Sequence, residues 1–306
     1  FPQFVGAVVP ANTVVNWSDI DLPINPGLGN LLILGTLIVD ENADWGNGMN
    51  IGMGACAKIA VPNSQQLKIH QHSRVFGCSN LWEAIEVQPG GRLVLKHAHI
   101  SDGTQAVLLQ RGSNAEITYS TFTNNHIGLY IPPDNAPGMG EPTLFPFYGN
   151  TFDAPQLKAS NCSSCTRGFA GIQVHDATMN LSGFAGARNI YSRVENGILA
   201  YNSDIVVNAS RFLDMDLAED SGYGRGIYVE GSLLRSASLT QRGLGTDATT
   251  SFERCRAPIE ASMASIRSFD NYMIDSWWNY RVELSKSIEI ERSEERRVGK
   301  ECRSRW

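Results

Sequence analysis

The sequence has no long apolar run, little charge and no excess of basic residues, and each absence excludes a class of protein. Its longest apolar stretch, residues 31–39, is too short for a transmembrane helix, which takes about 20 residues. Only 18% of the 306 residues are charged, with 25 basic against 31 acidic, which argues against a chain-wide nucleic-acid-binding surface. We also find no amphipathic segment of helical period. With 29 glycines, the composition favours a turn-rich β protein.

The two ends of the chain differ from the rest. It begins at Phe1 without an initiator Met or a leader, so we expect a piece of a longer protein. The last fifteen residues, 292–306, carry six basic and three acidic residues and no β pattern, and they resemble the translation of a sequencing adapter. A solvated charged tail is the alternative.

If the tail is set aside, we expect one domain over residues 1–291, truncated at both ends. Removing six basic and three acidic residues from 25 and 31 leaves 19 and 28, so the remaining chain is distinctly acidic. Of the six cysteines, Cys302 falls in the tail and five remain.

A four-residue phrase recurs along the chain: a small or turn residue, an aliphatic residue, a variable residue, and a second aliphatic residue or Ala. Its first aliphatic residue falls at positions 37, 59, 85, 107, 129, 172, 198, 227, 259 and 282. The shortest step between these positions is 22 residues, with occasional longer steps. Such spacing is typical of a solenoid whose repeats carry loop insertions.

A second phrase keeps phase with the first. It places Ile or Phe at positions 100, 122, 152, 212, 252 and 269. Residues 100, 122 and 252 each precede the next aliphatic position by seven residues. Repeated phase locking of this kind indicates a structural repeat.

The repeat predicts an all-β fold, a right-handed parallel β-helix of about ten rungs with loop insertions. Each unit holds alternating segments of four or five residues, too short for helices. Alternation puts Ile85 and Val87 on one face and Glu86 on the other. One unit cannot bury its apolar face alone, whereas stacked units form a continuous core. The sequence has no helical segments between strands, which excludes a βαβ fold. It also lacks the Leu/Asn spacing of a leucine-rich repeat.

The segment from Ile33 to Tyr130 resembles right-handed parallel β-helix families, and more narrowly the large secreted β-helix proteins of Bacteroidetes-type bacteria. It contains GACAKIAVPNSQQLKI and GCSNLWEAIEVQPGGRLVLKHAHISDG. Cys78, Trp82 and Ile85 stand where those proteins show Cys, Trp and Gly-Ile, with Ala84 in place of the Gly. The resemblance implies a secreted or cell-surface location. It implies little about chemistry, because this fold hosts enzymes, adhesins and passive stalks alike.

Two motifs in the insertions are candidates for chemistry. Cys162 and Cys165 form a CxxC, for which we favour a local disulfide over free thiols or other pairings, since no second ligand pair completes a zinc site. An acidic cluster precedes Arg225 and suits either calcium binding or, as we favour, a solvated loop. Its members are Asp214, Asp216, Glu219 and Asp220.

Histidines and aromatic residues give two further candidates. His70 and His72, with His97 and His99, form two i, i+2 pairs that are consistent with a four-His metal site, although exposed polar positions are the favoured interpretation. Exposed rings would stack on sugars, whereas most rings of a solenoid fill or cap its core. The aromatic candidates are Trp45, Trp82, Trp277, Trp278 and Tyr280.

Motifs of carbohydrate-active enzymes are weak. Asn202-Ser203-Asp204 matches the Asn-Thr-Asp motif of β-helix hydrolases only in part. The outward acids Glu86, Glu230 and Glu260 fall on separate rungs, and no two form a convincing pair for acid and base catalysis. Insertions are the better place to look for function. The four longest are residues 132–146, 154–170, 213–225 and 233–250.

We therefore expect a secreted or cell-surface scaffold, adhesin-like and non-catalytic, whose loops bind glycans or other surfaces. A polysaccharide lyase or glycoside hydrolase is the alternative. We assign no catalytic, cofactor-binding or metal-binding residue, and we expect no nucleic-acid partner and no membrane span.

Overall fold

The computed structural model is an all-β solenoid of about ten turns, as predicted. It describes residues 6–20, 30–135, 138–158, 167–215, 224–244 and 251–296. In these ranges every ladder between named strands is parallel, and the one helical element is a 3-10 turn at Trp17–Asp19. None of the described residues forms a helix long and apolar enough to cross a membrane. The right-handedness of the coil stays a prediction.

Two long sheets run the length of the solenoid. Sheet A contains β1 (Gly6–Val9), β3 (Asn30–Ile33), β6 (Asn50–Met53), β9 (Arg74–Gly77), β12 (His99–Ser101), β15 (Thr121–Thr123), β18 (Thr151–Asp153), β21 (Asn189–Ser192), β24 (Ser210–Leu213), β27 (Phe252–Glu253), β30 (Tyr272–Ile274) and β33 (Glu294–Arg296). Sheet B contains β2 (Val14–Asn16), β4 (Thr36–Ile38), β7 (Lys58–Val61), β10 (Trp82–Val87), β13 (Gly103–Leu109), β16 (Ile127–Ile131), β19 (Ala170–His175), β22 (Asn196–Tyr201), β25 (Arg225–Glu230), β28 (Ala257–Ser262) and β31 (Tyr280–Glu283).

The third side of the solenoid is divided into two five-stranded sheets. Sheet C contains β5 (Ala43–Trp45), β8 (Gln66–His70), β11 (Arg92–Lys96), β14 (Asn114–Thr118) and β17 (Thr143–Tyr148). Sheet D contains β20 (Thr178–Asn180), β23 (Asp204–Asn208), β26 (Ala237–Arg242), β29 (Ala264–Phe269) and β32 (Ser287–Glu291).

The first recurring phrase forms the strands of sheet B in register. Leu129 pairs with Ile172, Ile172 with Ile198 and Ile198 with Ile227, and all four side chains are fully buried. The last copy is displaced by two residues, because Val282 pairs with Ala261 while Tyr280 takes the place opposite Ile259. A shift of two keeps the same face inward, so the error leaves the pattern intact.

The second phrase forms an aromatic stack inside the solenoid. Phe122, Phe152, Tyr191, Phe212 and Phe252 occupy equivalent sites on successive strands of sheet A. Neighbouring ring centroids lie 4.6 to 5.1 Å apart, and the planes lie within 10° of parallel. The sequence alone missed Tyr191.

Phe269 does not belong to this stack, which corrects one sequence assignment. It ends β29 in sheet D, where it pairs with Arg242. The equivalent site on the next strand of sheet A is Met273, which pairs with Phe252. The triplet Ser268-Phe269-Asp270 has the same residue pattern as the second phrase, but it lies at the end of β29, before the chain enters sheet A. A pattern of three residues does not determine which sheet a strand joins.

The glycine of the first phrase makes room for this stack. A Cβ added to Gly197 would lie 2.6 Å from Cδ1 of Phe212 and 2.5 Å from the carbonyl oxygen of Gly226. Gly128, Gly171 and Gly226 face the neighbouring rings in the same way. The small residue of the phrase is therefore a packing requirement of the core.

Buried asparagines satisfy the backbone at the corner that leads into sheet A. Asn150 donates to the carbonyl of Ile117 at 2.9 Å and accepts from the backbone N–H of Ser120 at 3.0 Å. Asn189 in turn accepts from the backbone N–H of Asn150 at 3.0 Å. Both side chains are fully buried, so these bonds supply partners that water would otherwise provide.

Candidate functional site

Three of the four predicted insertions leave the solenoid at the ends of strands of sheet B. Of the predicted insertions, 154–170 and 213–225 span connections from sheet A to sheet B, and each overlaps a strand only at its ends. The prediction 132–146 spans a connection from sheet B to sheet C and is too long, because Thr143–Tyr148 is strand β17. The fourth prediction, residues 233–250, is wrong in extent because Ala237–Arg242 is strand β26 of sheet D. Inserted segments therefore join the strands of sheet B at both of their ends. We name the outward side chains of β16, β19, β22, β25 and β28 the sheet B face.

Two rows of side chains make up the sheet B face. The first row contains Tyr130, Gln173, Leu199, Tyr228 and Glu260, which follow one another in register. The second row contains His175, Tyr201, Glu230 and Ser262. All are half-buried except Leu199, which is 1% exposed. Neighbouring members of a row are about 4.8 Å apart, the spacing of paired strands.

Four rings of the sheet B face contact one another across the strands. The His175 ring stacks on Tyr201 with centroids 4.8 Å apart and meets Tyr130 edge-on at 5.8 Å. Tyr201 meets Tyr228 edge-on at 5.9 Å. The amide of Gln173 lies 2.8 Å from Nε2 of His175, which orients the imidazole. The arrangement is a continuous aromatic surface with polar edges.

Charged side chains continue this surface toward β28 and β31. The Arg225 guanidinium lies 4.6 Å over the Tyr228 ring and donates to Glu260 at 2.8 Å. Arg281 lies 3.5 Å from the same carboxylate. The hydroxyl of Tyr228 donates to Oε2 of Glu230 at 2.9 Å. The cations and the tyrosine hydroxyl therefore already have protein partners.

Burial shifts the ionisation of the sheet B face toward neutral forms. It lowers the pKa of the His175 imidazole, an effect that the Asp176 carboxylate opposes. It raises the pKa of Tyr130 and of Tyr201, and Glu230 adds to the rise for Tyr201. Burial and the bond to Glu230 raise the pKa of Tyr228 as well. At neutral pH these groups are uncharged and act as hydrogen-bonding and stacking groups.

Arginine contacts fix the border formed by residues 132–142. Arg111, whose side chain is 6% exposed, donates to the carbonyl oxygen of Asp176 at 2.5 Å. Arg235 donates to the same oxygen at 3.0 Å and lies 3.6 Å from Glu141. Asp134 donates its backbone N–H to the Asp176 carboxylate at 3.1 Å. The insertion is thereby tied to the end of β19.

A lysine fixes the opposite border. The Lys158 ammonium donates to the carbonyl oxygen of Gly77 at 2.6 Å and to the Asp102 carboxylate at 3.1 Å. Gly77 and Asp102 belong to earlier rungs, so the chain after β18 folds back toward the N-terminal end of the solenoid. Asp102 is 4% exposed, and Ser101 donates to it at 2.9 Å.

Several buried polar atoms along the same corner have no hydrogen-bond partner among the described residues. They are Oδ1 of Asn124, Nδ1 of His126, Oδ1 of Asn196, one terminal guanidinium nitrogen of Arg256 and Oδ1 of Asn279. Unpaired buried groups point to bound water or to a ligand group.

The four predicted histidines do not converge on one site. His70 lies on sheet C and contacts Asp44. His72 and His97 lie at the corner between sheets C and A with ring centroids 6.1 Å apart, and His99 lies 6.4 Å from His72. Across the described ranges, no three His, Cys, Asp or Glu side chains have an arrangement that could hold a metal ion.

The predicted acidic and cysteine motifs lie mostly outside the described residues. Asp214 contacts Arg254 at 2.5 Å, whereas Arg225 pairs with Glu260 instead. The motif residues that lie outside are Asp216, Glu219, Asp220, Cys162 and Cys165. Cys56, Cys78 and Cys255 are not in disulfides.

The predicted aromatic candidates divide into two groups. Trp45 and Trp82 are 1% and 0% exposed, which confirms their assignment to the core. Trp277 and Trp278 are 48% and 55% exposed, so they lie outside the core. Their backbone bonds to the preceding rung place them at the corner between sheets A and B. Tyr280 is partly buried and contacts Ser268 at 3.0 Å.

The outward acids lie where the alternation predicted them. Glu86 contacts Lys58 and accepts from Gln110 at 2.9 Å. Glu260 pairs with Tyr228 on the neighbouring strand, and Glu230 lies two residues after Tyr228 on the same strand. The sequence alone did not recognise this pair.

Sequence reasoning missed the aromatic members of the sheet B face, although a signal was present. Tyr130 and Tyr228 occupy the variable position of the four-residue phrase, and His175 and Tyr201 directly follow it. Alignment of the copies by their buried residues would have placed these side chains in adjacent columns.

The sequence matches no protein-family model, no curated protein and no solved structure. Any functional statement about the sheet B face therefore comes from its own geometry.

Proposed function

We propose that this protein is a non-catalytic scaffold, secreted or displayed at a cell surface, that binds a glycan chain along the sheet B face. The observation that carries the proposal is the set of four contacting rings, Tyr130, His175, Tyr201 and Tyr228, on the outward side of sheet B.

The chemistry of the surface suits a carbohydrate. A sugar ring has apolar C–H faces and a rim of hydroxyls, so it needs aromatic surface beside hydrogen-bonding groups. The sheet B face supplies both, with Gln173, His175 and Glu230 among the tyrosines.

The rigidity of the scaffold also favours binding. The rings stand on paired strands whose inward residues are fully buried, such as Ile172 and Ile198. A preformed surface loses little conformational entropy when a ligand binds. A long polymer would cross several rungs and contact equivalent positions on each.

Removal of one central ring tests the proposal. We expect the parent protein to be retarded in native gels that contain a soluble polysaccharide, and Tyr201→Ala to weaken that affinity about tenfold or more, equivalent to about 1.4 kcal/mol. Tyr119→Ala is the matched control, since Tyr119 is a 40% exposed tyrosine at another corner. Equal retardation of the parent and Tyr201→Ala would refute the role of the sheet B face.

A carbohydrate-active enzyme is the second candidate, and the placement of Glu230 and Glu260 beside Tyr228 favours it. Two carboxylates are the usual apparatus for glycoside hydrolysis. Glu260 already pairs with Arg225, which leaves less freedom for proton transfer. New reducing ends or unsaturated uronates from a polysaccharide panel, abolished by Glu230→Gln, would promote this candidate. Binding without turnover would support the scaffold.

The secreted location of the protein and the adapter origin of residues 292–306 are also proposals. Resemblance supports a secreted β-helix protein of Bacteroidetes-type bacteria and an adapter origin for residues 292–306. A long sequencing read across the codon for Glu291 tests the second point. A different native frame after that codon would support it, and an encoded Arg292–Trp306 would overturn it.

A further inference from the structure

We infer that the ligand of the sheet B face is an uncharged glycan and that polyuronates and other anionic polysaccharides are excluded. The inference rests on the proposed function and specifies its ligand class. Its basis is the distribution of charge over the face and its borders.

The Glu230 carboxylate is the central acceptor of the face. Its side-chain partner is the Tyr228 hydroxyl at 2.9 Å, and the described contacts include no cation at this carboxylate. Because Tyr228 donates its proton to Glu230, that hydroxyl is not free to donate to a ligand anion. One carboxylate oxygen remains for a donor such as a sugar hydroxyl, and the negative charge of Glu230 repels the carboxylate of a uronate.

Two arginines at the C-terminal end of the face pair with two carboxylates. Arg225 contacts Glu260 at 2.8 Å and covers the Tyr228 ring, and Arg281 contacts Glu260 at 3.5 Å and Glu283 at 3.0 Å. A ligand carboxylate would have to displace Glu260 from these guanidiniums. The displaced carboxylate would then remain half-buried without its partners, which is unfavourable.

Arginines are also paired with carboxylates at the border formed by residues 132–142. Arg111 and Arg235 lie among three carboxylates, those of Asp134, Glu141 and Asp176, with contacts of 3.6 to 3.8 Å. Acids therefore outnumber bases on this border. The chain as a whole carries a formal charge of −6, which adds long-range repulsion of polyanions.

Matched neutral and anionic polymers provide the test. The probes are hydroxyethyl cellulose, galactomannan and xyloglucan against carboxymethyl cellulose, polygalacturonate and alginate, each at low salt in native affinity gels. We expect retardation by at least one neutral polymer, reduced about tenfold in affinity by Tyr201→Ala, and none by the three anionic polymers. Retardation by an anionic polymer that Tyr201→Ala abolishes would overturn the inference and leave the proposed function standing. If none of the six polymers retards the parent, both fall.

The salt dependence gives an independent readout. Between about 0.01 and 0.15 M ionic strength the Debye length falls from about 30 to 8 Å, so attraction between a cationic site and a polyanion would weaken markedly. We expect the affinity for the neutral polymer to change less than twofold over this range. A loss of affinity of tenfold or more on adding salt would contradict the inference.

A single isosteric substitution tests whether Glu230 is the residue that excludes anionic polymers. Glu230→Gln removes the charge and keeps the size, so we expect about tenfold weaker binding of the neutral polymer together with measurable retardation by carboxymethyl cellulose. Glu116→Gln is the matched control, an outward glutamate on sheet C that contacts Arg92, and it should behave like the parent. If Glu230→Gln binds both polymers as the parent does, Glu230 does not select the ligand and the inference fails.

Discussion

Two aromatic rows run along the solenoid axis, one inside and one outside, and they differ in geometry. The inner rings of Phe122 to Phe252 lie within 10° of parallel at 4.6 to 5.1 Å. The outer rings of Tyr130 to Tyr228 alternate between edge-on and stacked contacts at 4.8 to 5.9 Å. Inner rings are at most 1% exposed, and outer rings are half-buried beside polar groups.

The difference shows that one repeat places aromatic side chains both in the core and on the outer surface. The rung spacing brings equivalent side chains close together on either side of the wall. Inside, close packing leaves each ring only one orientation, so the row contributes stability. Outside, the rings are half-buried beside polar groups, and this is the surface for which we propose binding.

A charge inside the wall should have the largest effect. Ile198→Asp places an unpaired carboxylate at a fully buried site, and we expect a loss of more than about 4 kcal/mol and of cooperative unfolding. Val206→Asp is the control, since Val206 lies outward on β23. Circular dichroism during urea unfolding provides the measurement. A parent-like transition for Ile198→Asp would show that the rung register is wrong.

Truncation of an inner ring should come next. Phe212→Ala removes the contacts with Tyr191 and Phe252, and we expect a loss of about 3 to 5 kcal/mol. Tyr201→Ala on the outer row should lose about 1 kcal/mol or less, because the ring is only partly buried. Chemical denaturation of both variants measures the contrast. Equal losses would mean that the outer row is also part of the core.

Filling the space beside the inner row should be less damaging. Gly197→Ala brings a methyl group within 2.6 Å of the Phe212 ring, and overpacking of this kind is worth about 1 to 3 kcal/mol. At Gly186 a Cβ would meet only the Phe184 ring, at 3.7 Å. The melting temperatures should therefore separate Gly197→Ala from Gly186→Ala. A parent-like melting temperature for Gly197→Ala would show that the stack can shift.

Removal of a hydroxyl should have opposite effects in the two rows. The Tyr191 hydroxyl is fully buried and has no hydrogen-bond partner among the described residues, so Tyr191→Phe should stabilise the fold by about 1 kcal/mol. Tyr228→Phe deletes the bond to Glu230 and should weaken glycan binding without stabilising the fold. Destabilisation by Tyr191→Phe would reveal a hidden partner, such as a buried water.

Acidification should have the smallest effect. Burial lowers the pKa of His175 in the folded state, so the unfolded chain takes up its proton first, below about pH 6.5. Stability should therefore fall as the pH drops through that value toward the folded pKa. His175→Gln should reduce this pH dependence, measured by melting at pH 7.5 and 5.5. An NMR titration that puts the pKa of His175 above its ordinary value would contradict the assignment.

Much of the solenoid was predictable because its signal is local and repeated. Leu129, Ile172, Ile198 and Ile227 pair in the structure as the phrase predicted. Where the repeat weakens, local signals misled. Phe269 was assigned to the inner row at a site that Met273 occupies in the structure. The predicted insertion 233–250 contains strand β26. A triplet fits either sheet, and only the pairing of neighbouring rungs decides between them.

The candidate site was less predictable because its members are far apart in the chain. Arg111 reaches Asp176, 65 residues away, and Lys158 reaches Asp102, 56 residues away. Glu230 and Glu260 become neighbours only because the intervening chain completes one full turn. No short motif records such contacts.

By itself, the sequence determined the all-β solenoid and which residues face its core, because alternation and the repeat act through short-range geometry and burial. Only the tertiary structure decided that inserted segments border the same sheet and that Tyr130, His175, Tyr201 and Tyr228 form one surface. The physical reason is that insertions of unequal length hide the equivalence of positions along the chain, and the stacking of rungs restores it in space.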